Sequence, residues 1–415
     1  MQTRPPIPIP EQYSIDLCTG FVPSQSTELP AYYTPWRSLC SKIPHLLQMQ
    51  SVRSTVDTLD VLDTDHLTTL AHWQRAYILL GYLSQAYIWQ DRSNPSPTIP
   101  ASIADPFLKV CDHLGMLPVL SYAGSSLWNW EPVTHHDDRN NTSCSGSSSS
   151  SPDLSDFSTI KCYTSFTGTR DEDAFNLVPS MVEAEAGHLI TLLLNAVDVY
   201  HRPASSQLHL LPVLEECTRT FTKMNEILSV LFQNCDPTVF HCDIRPMLAG
   251  SAGAEDKGLP HGVTYECSDG SRVVAKCVGA SAGQSALFQF FDHVFGIQHE
   301  SKFLVTMRAY MPRQHREFLE AVGKQPSLRE VIDDHLIPDQ AQAQTLLAAF
   351  NAVLEAFKSF RTRHIAIVSR YIVQPTAAEA RKLRAEGKPT VEERGTAGSK
   401  PVPFLKQYRD ETVLR

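Results

Sequence analysis

His364 and Arg361 are the pair in this sequence whose types and spacing best suit cofactor chemistry. They lie in TLLAAFNAVLEAFKSFRTRHIAIVSRYIV, where Leu346, Phe350, Val353, Phe357, Phe360, Ile367 and Tyr371 recur every three to four residues and mark one helical stripe. His364 falls on that stripe, where another apolar residue is expected, and Arg361 stands one turn before it on nearly the same face. A neutral imidazole on a buried face, with a cation one turn away, suits a metal ligand beside an anionic group. Haem brings both the iron and the carboxylates. A core histidine with satisfied nitrogens is the competing reading of the same pattern.

A second constellation is ASAGQSALFQFFDHVFGIQH, where a run of small residues leads into a helix. Small residues let backbone approach a flat ligand, and the free N–H groups at the helix start receive an anion. Ser281 is a candidate donor to a carboxylate. Asp292 is a candidate acceptor behind a metal-bound histidine.

The elements that must carry these residues are mostly helical. One helix is expected from Thr64 to Trp89, capped by Thr64 or Asp65, and another over SIADPFLKVCDHLG with Gly115 as its stop. Further helices are expected from Val182 to Tyr200, from Leu208 to Phe232, from about Gly283, from Ser301 to Met311, and from Ala341 to Val373. The last would span roughly 50 Å at ~1.5 Å per residue. VTYECSDGSRVVAKCV alone reads as β structure, a hairpin turning at Asp269-Gly270. The serine-rich segment near RNNTSCSGSSSSSPDLSD offers no apolar face and is expected to be disordered. AEGKPTVEERGTAGSKPVPFL is expected to be mobile.

With 415 residues and a net charge of −9, the chain can bury a large core, and its charge argues against a nucleic-acid or anionic-membrane partner. No single apolar run is long enough to span a bilayer; HLITLLLNAVDVY is interrupted and short. The N-terminal MQTRPPIPIPEQ lacks the apolar core of a signal peptide. Ten scattered cysteines without a C-x-x-C pair disfavour a thiolate zinc site and fit a reducing, cytoplasmic setting.

Three stretches make the chain recognisable: GASAGQSALFQFFDHVFGIQ, FLVTMRAYMPRQHREFLEAV and SFRTRHIAIVSRYI. Together they resemble the indoleamine 2,3-dioxygenases, haem enzymes that open the indole ring of tryptophan. LPAYYTPW, LDTDHLTTLAHWQRAYILLGYLSQAYIW and MLPVLSYA extend the likeness toward the N-terminus.

The resemblance implies an all-α fold. A small N-terminal helical domain at 13–138, the serine-rich linker at 139–156 and a large haem-binding domain at 157–415 are expected. It implies that His364 ligates haem iron from the proximal side, that Arg361 pairs with a haem propionate, and that Asp292 is linked to the proximal histidine. A charge-assisted bond such as that of Arg361 contributes about 1.5–3 kcal/mol. Ser281 matches a serine at the haem edge and substrate, and Tyr122 and Ser125 fall in the distal segment. Phe175 and Phe240 match phenylalanines that flank the indole, Arg245 the arginine that receives the substrate carboxylate, and Thr396 a loop that closes over the site. No side chain is implied as an acid or base.

The implied reaction is O2 insertion into L-tryptophan to give N-formylkynurenine, toward NAD synthesis, in a monomer with haem b kept ferrous by a separate reductant. Two positions depart from the family: Pro179 stands where a small hydroxyl residue is common, and His241 where a second aromatic residue is common. They bear on the substrate, not on the haem anchors. Two other readings stay open: a haem-binding protein of the same fold that acts on another indole or senses haem or oxygen, and a helical scaffold that has lost the cofactor.

Overall fold

The computed structural model describes residues 5–133, 153–198, 210–334, 340–387 and 401–413. It is 62% helical with 5% strand, so the all-α expectation holds. The helices of nine or more residues among those described are α1 (Leu70–Trp89), α2 (Ala101–Leu114), α3 (Arg170–Glu185), α4 (His188–Asp198), α5 (Leu210–Asn234), α6 (Ala286–Val294), α7 (Arg313–Val322), α8 (Gln340–Val368), α9 (Gln374–Ala385) and α10 (Pro401–Asp410). The strands are β1 (Thr98–Ile99), β2 (Trp130–Pro132), β3 (Ile160–Cys162), β4 (Val263–Glu266) and β5 (Arg272–Ala275).

The hairpin read from Asp269-Gly270 is β4–β5, with Val263 opposite Ala275. Gly270 takes a φ of 82° there, which explains the residue type. β1 adds in parallel to β4, and β2 pairs antiparallel with β3. Neither β1 nor the β2–β3 pair is long enough to show an alternating pattern in the sequence.

Several helix boundaries differ from expectation. Helix α1 starts at Leu70, because Thr69, not Thr64 or Asp65, caps it by accepting from the His72 N–H. The Val182–Tyr200 segment is split. Helix α3 begins far upstream at the Thr169 cap with Asp171, Glu172 and Asp173 in its first turn, where the helix dipole favours carboxylates. It ends before Gly187. A Cβ on Gly187 would lie 2.2 Å from the Thr19 carbonyl carbon, so the chain bends where two backbones touch. Gly115 ends α2 in the left-handed conformation, as expected.

The α8 stripe runs as read, and Phe350, Val353, Phe357 and Tyr371 are almost fully buried. The regular helix stops at Val368 and a π turn at Ser369–Val373 carries it into α9. Tyr371 holds that turn, its hydroxyl donating to the carbonyls of Leu231 and Cys235 at the end of α5 (3.0 and 2.9 Å). Helix α8 packs along α5, α5 also packs on α3, and α10 packs on α8. The tail read as mobile is helical from Pro401; its residues 388–400 lie outside the described ones, as does most of the serine-rich segment.

One continuous buried cluster runs from Ile15 to Tyr371, so segments before and after the serine-rich stretch share a core. Gln85 and Trp89 of α1 add hydrogen bonds to the carbonyl of Ala249, far along the chain. The α3–α4 stretch, Arg170–Asp198, is long and apolar enough by composition to cross a membrane, unlike any single run read from the sequence. Yet 67% of its most apolar window is buried inside the protein, as expected of a core element.

Gly187→Ala is predicted to destabilise the protein by about 1–3 kcal/mol through overpacking against Thr19 and Gly20. Thermal melting of the variant measures it; an unchanged melting temperature would show that the bend relaxes freely.

Candidate active site

A cavity of about 280 Å³ lies between α3, the Phe240 turn, the Ala280–Gly283 segment, α8 and α10. His364, Arg361, Phe360 and Ile367 of α8 form one wall, and Tyr371 of the π turn continues it. Phe175, Pro179 and Val182 of α3 form another, with Tyr122 and Phe240 beside them. Ser281, Ala282 and Gly283 bring backbone close to the interior, and Phe404, Leu405 and Tyr408 of α10 close one side.

The His364 ring is enclosed by protein on most sides and exposed mainly to this cavity. Burial lowers its pKa to about 4, so the imidazole is neutral at ordinary pH and keeps a lone pair for a metal. No group of three or more His, Cys, Asp or Glu gathers as a metal site among the described residues. A metal at His364 would therefore have to bring most of its ligands with it, as a macrocycle does.

Arg361 and Asp292 meet at the cavity. One Arg361 Nη donates to the Asp292 carboxylate, and the other donates to the Tyr408 carbonyl (2.9 Å) and the Thr412 hydroxyl (2.5 Å). The second Asp292 oxygen pairs with His299 at 2.9 Å, and the other nitrogen of that ring lies 2.5 Å from Glu411. Asp292 is thus bound to Arg361 and His299; no hydrogen bond links it to His364, contrary to the expected role behind the proximal histidine. The reason is that both Asp292 oxygens are already engaged, one by Arg361 and the other by His299, and these two are held in turn by Tyr408, Thr412 and Glu411 of the C-terminal segment. Arg361 retains its Nε–H and one Nη–H with no hydrogen bond among the described residues, so it can still receive an anion.

Ser281 caps the short turn Ala282–Gln284 by accepting from the Gly283 N–H, and it faces the cavity. Tyr122 is tied in twice: its N–H donates to Gln284 Oε1 (2.8 Å) and its hydroxyl to Glu183 (2.9 Å). Phe175 and Phe240 pack with ring centroids 4.2 Å apart. Phe240 also meets Tyr371 edge-on at 5.8 Å. Pro179 stands within α3, on the cavity wall, and the neighbouring Ser180 turns its hydroxyl to the Ser126 carbonyl at 2.9 Å.

Of the residues read from the sequence, Tyr122, Phe175, Phe240, Ser281, Asp292, Arg361 and His364 are brought together on this cavity. Ser125 is buried in a π turn behind it and Arg245 is half-buried at the end of the Phe240 turn, both off the wall. Thr396 lies outside the described residues. His241 is directed to Glu379 at 3.2 Å, not to the cavity. Phe288, Phe303, Phe404, Leu405, Tyr408, His299, Glu411 and Glu183 were not singled out in the sequence. The only sequence signal for Glu183 was a carboxylate in the apolar run around Met181-Val182.

A family model described as indoleamine 2,3-dioxygenase matches residues 9–414. The chain belongs to that family. It is 35% identical to a 6-hydroxytryptophan 2,3-dioxygenase of Fusarium equiseti, covering 97% of this chain and 96% of that protein. It is 32% identical to an indoleamine 2,3-dioxygenase of Saccharomyces cerevisiae over 98% of this chain and 94% of that protein. With indoleamine 2,3-dioxygenase 2 of Homo sapiens the identity is 30%, over 97% and 94%. This indoleamine 2,3-dioxygenase family member is accordingly an oxidoreductase, a dioxygenase of indole substrates.

Asp292→Ala would leave Arg361 buried without its carboxylate, a loss of about 3–5 kcal/mol by analogy with broken buried pairs. Denaturant unfolding of the variant tests this; a change under about 1 kcal/mol would show that Tyr408 and Thr412 suffice to hold the guanidinium.

Proposed function

We propose that this protein is a haem b-dependent dioxygenase that opens the indole ring of L-tryptophan to give N-formylkynurenine, on the path to kynurenine and NAD. The observation that carries the reading is a neutral His364, without a hydrogen-bond partner among the described residues, facing an aromatic cavity beside Arg361. The residues fit haem: one nitrogen ligand, small residues at Ser281–Gly283 for a flat edge, and an arginine with donors to spare. When bound, haem supplies the ferrous iron at which dioxygen is activated for addition to the indole.

The side chains then have distinct tasks. His364 holds the iron. Arg361 and Ser281 receive the carboxylate edge of the macrocycle, and Asp292 orients Arg361. Phe175 and Phe240, already packed together, give the indole flat apolar walls. Tyr122 offers the hydroxyl nearest the distal wall. Arg245, half-buried at the end of the Phe240 turn and off the cavity wall, is assigned the substrate carboxylate on the family resemblance alone; a planar guanidinium fits that group bidentately once the two are brought together. Positioning and exclusion of water are what the protein adds; the reaction needs no side-chain base.

The reading includes an external reductant, a monomeric chain, and a cytoplasmic site with no nucleic-acid or membrane partner. Among the described residues nine cysteines are free, which suits a reducing compartment. The division at 139–156 into a small domain and a haem-binding domain belongs to the same proposal. A second reading is favoured by Pro179, which puts a ring on the wall where relatives commonly carry a hydroxyl: the preferred substrate is then a ring-substituted indole, such as the 6-hydroxytryptophan of the Fusarium relative's name.

Haem-loaded, reduced protein given L-tryptophan or 6-hydroxytryptophan is predicted to form the ring-opened formyl product, followed by absorbance and mass. His364→Ala is predicted to lose stoichiometric haem; retention of haem with an unaltered absorption spectrum would overturn the ligand assignment. Arg245→Ala is predicted to raise KM for L-tryptophan by about ten- to a hundredfold, from loss of a charge-assisted pair of about 1.5–3 kcal/mol. An unchanged KM would remove Arg245 from the substrate site.

A further inference from the structure

Behind the cavity wall lies a carboxyl group that the proposed reaction does not use. Glu183 of α3 is 1% exposed. Its Oε1 accepts from the Tyr122 hydroxyl at 2.9 Å and from the Ser285 hydroxyl at 2.6 Å. Its Oε2 is buried with no hydrogen-bond partner among the described residues. The three residues come from three places: α3, the segment after Leu120, and the start of α6. The same junction is closed a second time by Gln284, which accepts from the Tyr122 N–H and donates to the Gly279 carbonyl (2.8 and 2.9 Å). Glu183 therefore fixes the spacing between Tyr122 on one wall and the Ser281–Gly283 edge on another.

The environment of Glu183 bears on its charge. Tyr122 and Ser285 are the titratable or polar groups that face it from the elements packed against it, and among the described residues no cation or second carboxylate acts on it. On its own helix, Glu185 pairs with Lys223 of α5, away from this junction. Burial raises the Glu183 pKa to about 7 against the two hydroxyl hydrogen bonds, which act to lower it. An anion here would be buried with two donors, an orphan oxygen and no counter-ion.

We infer that Glu183 is a positioning residue for the indole site: it joins Tyr122 and Ser285 at one point, and its anion, buried without a counter-ion, draws water into the junction, which opens the wall and weakens substrate binding. The inference rests on the proposed substrate site. It also carries a stability consequence that does not need substrate. Because the folded-state pKa lies above the usual carboxylate value of 4.5, the unfolded chain ionises first. Stability falls as pH rises from about 4.5 to about 7 and levels off above that.

The test measures L-tryptophan affinity and KM of the haem-loaded protein from pH 6 to pH 8, for wild type and Glu183→Gln. The glutamine keeps the shape and removes the titration. Wild-type binding is expected to weaken about tenfold over that range, with kcat changing much less, and the glutamine variant to show a flat profile. The melting-temperature difference between the two proteins, measured without haem or substrate, is expected to grow in favour of glutamine from pH 5 to pH 7.5. A glutamine variant that keeps the wild-type pH profile overturns the inference. Should that variant fail to fold, Ser285→Ala serves instead. Removing one donor to the carboxylate is expected to move the midpoint of the wild-type profile to higher pH, and an unmoved midpoint overturns the inference. A protein that forms no product from either indole defeats the proposed reaction. The pH dependence of tryptophan binding and of melting still decides the part assigned to Glu183.

Discussion

An imidazole can be kept as a ready ligand inside a protein only if the surroundings deny it both water and a proton, and the structure around His364 meets that constraint. Burial is what lowers its basicity. That in turn requires apolar walls on most sides, which no single helix can supply. Helix α8 presents His364 from a stripe otherwise buried against α5, and the remaining walls come from α3, the Phe240 turn, the Ser281 segment and α10. The core and the site are thus built from the same packing: Phe288, on the cavity wall, stacks on Phe360 of the same wall and on the core residue Phe357.

Charge is admitted to this cavity only in pairs. Arg361, Asp292, His299 and Glu411 form one chain of ionisable groups, all with little exposure, that joins α8 to α6 and to the residues just after α10. The Glu411 pKa is raised by burial and lowered by its hydrogen bonds to His299 and Gln407, with the lowering dominant. This chain explains why α10 lies on the cavity at all. Its apolar face supplies Phe404, Leu405 and Tyr408, while the polar network at its end fixes where that face sits. Arg361 thereby anchors the C-terminal helix while, among the described residues, its Nε–H and one Nη–H make no hydrogen bond.

How far the sequence discloses this arrangement depends on whether a feature is local. The α8 stripe, the Asp269-Gly270 hairpin and the Gly115 stop depend on neighbours within a few residues, and each was readable. The start of α1 was not, because several threonines and aspartates compete to cap it and tertiary packing selects Thr69. The break after α3 was not either: Gly187 looks like a tolerable helix residue until Gly20, far away in the chain, is brought against it. For the site, His364 and Arg361 were visible from spacing, whereas Tyr122, Phe175 and Phe240 were named only through the family resemblance. Glu411 and Glu183 escaped notice because the contacts that place them, His299 to Glu411 and Tyr122 and Ser285 to Glu183, span 61 to 112 residues, and His299, although only 7 residues from Asp292, is recognisable only once Glu411 is brought to its other nitrogen. Asp292 shows the converse limit: the sequence reading sets it behind a histidine ligand, whereas its hydrogen-bond partners are Arg361 and His299.

Pro179 shows how one local departure can redirect a site without damaging its frame. A proline in mid-helix lacks the N–H that would bond the carbonyl four residues earlier, here that of Phe175, and it places a rigid ring where a side-chain hydroxyl would otherwise stand. Ser180 does not replace that hydroxyl, since its own is spent on the Ser126 carbonyl. The α3 face of the cavity therefore presents Phe175, Pro179 and Val182 to a ligand, and the polar side chain beside it is Tyr122. Tyr122 already gives its proton to Glu183, so its oxygen is left chiefly as an acceptor. The α3 wall is thus shaped by Phe175, Pro179 and Val182, and the Tyr122 hydroxyl beside it is oriented by Glu183 from behind the wall.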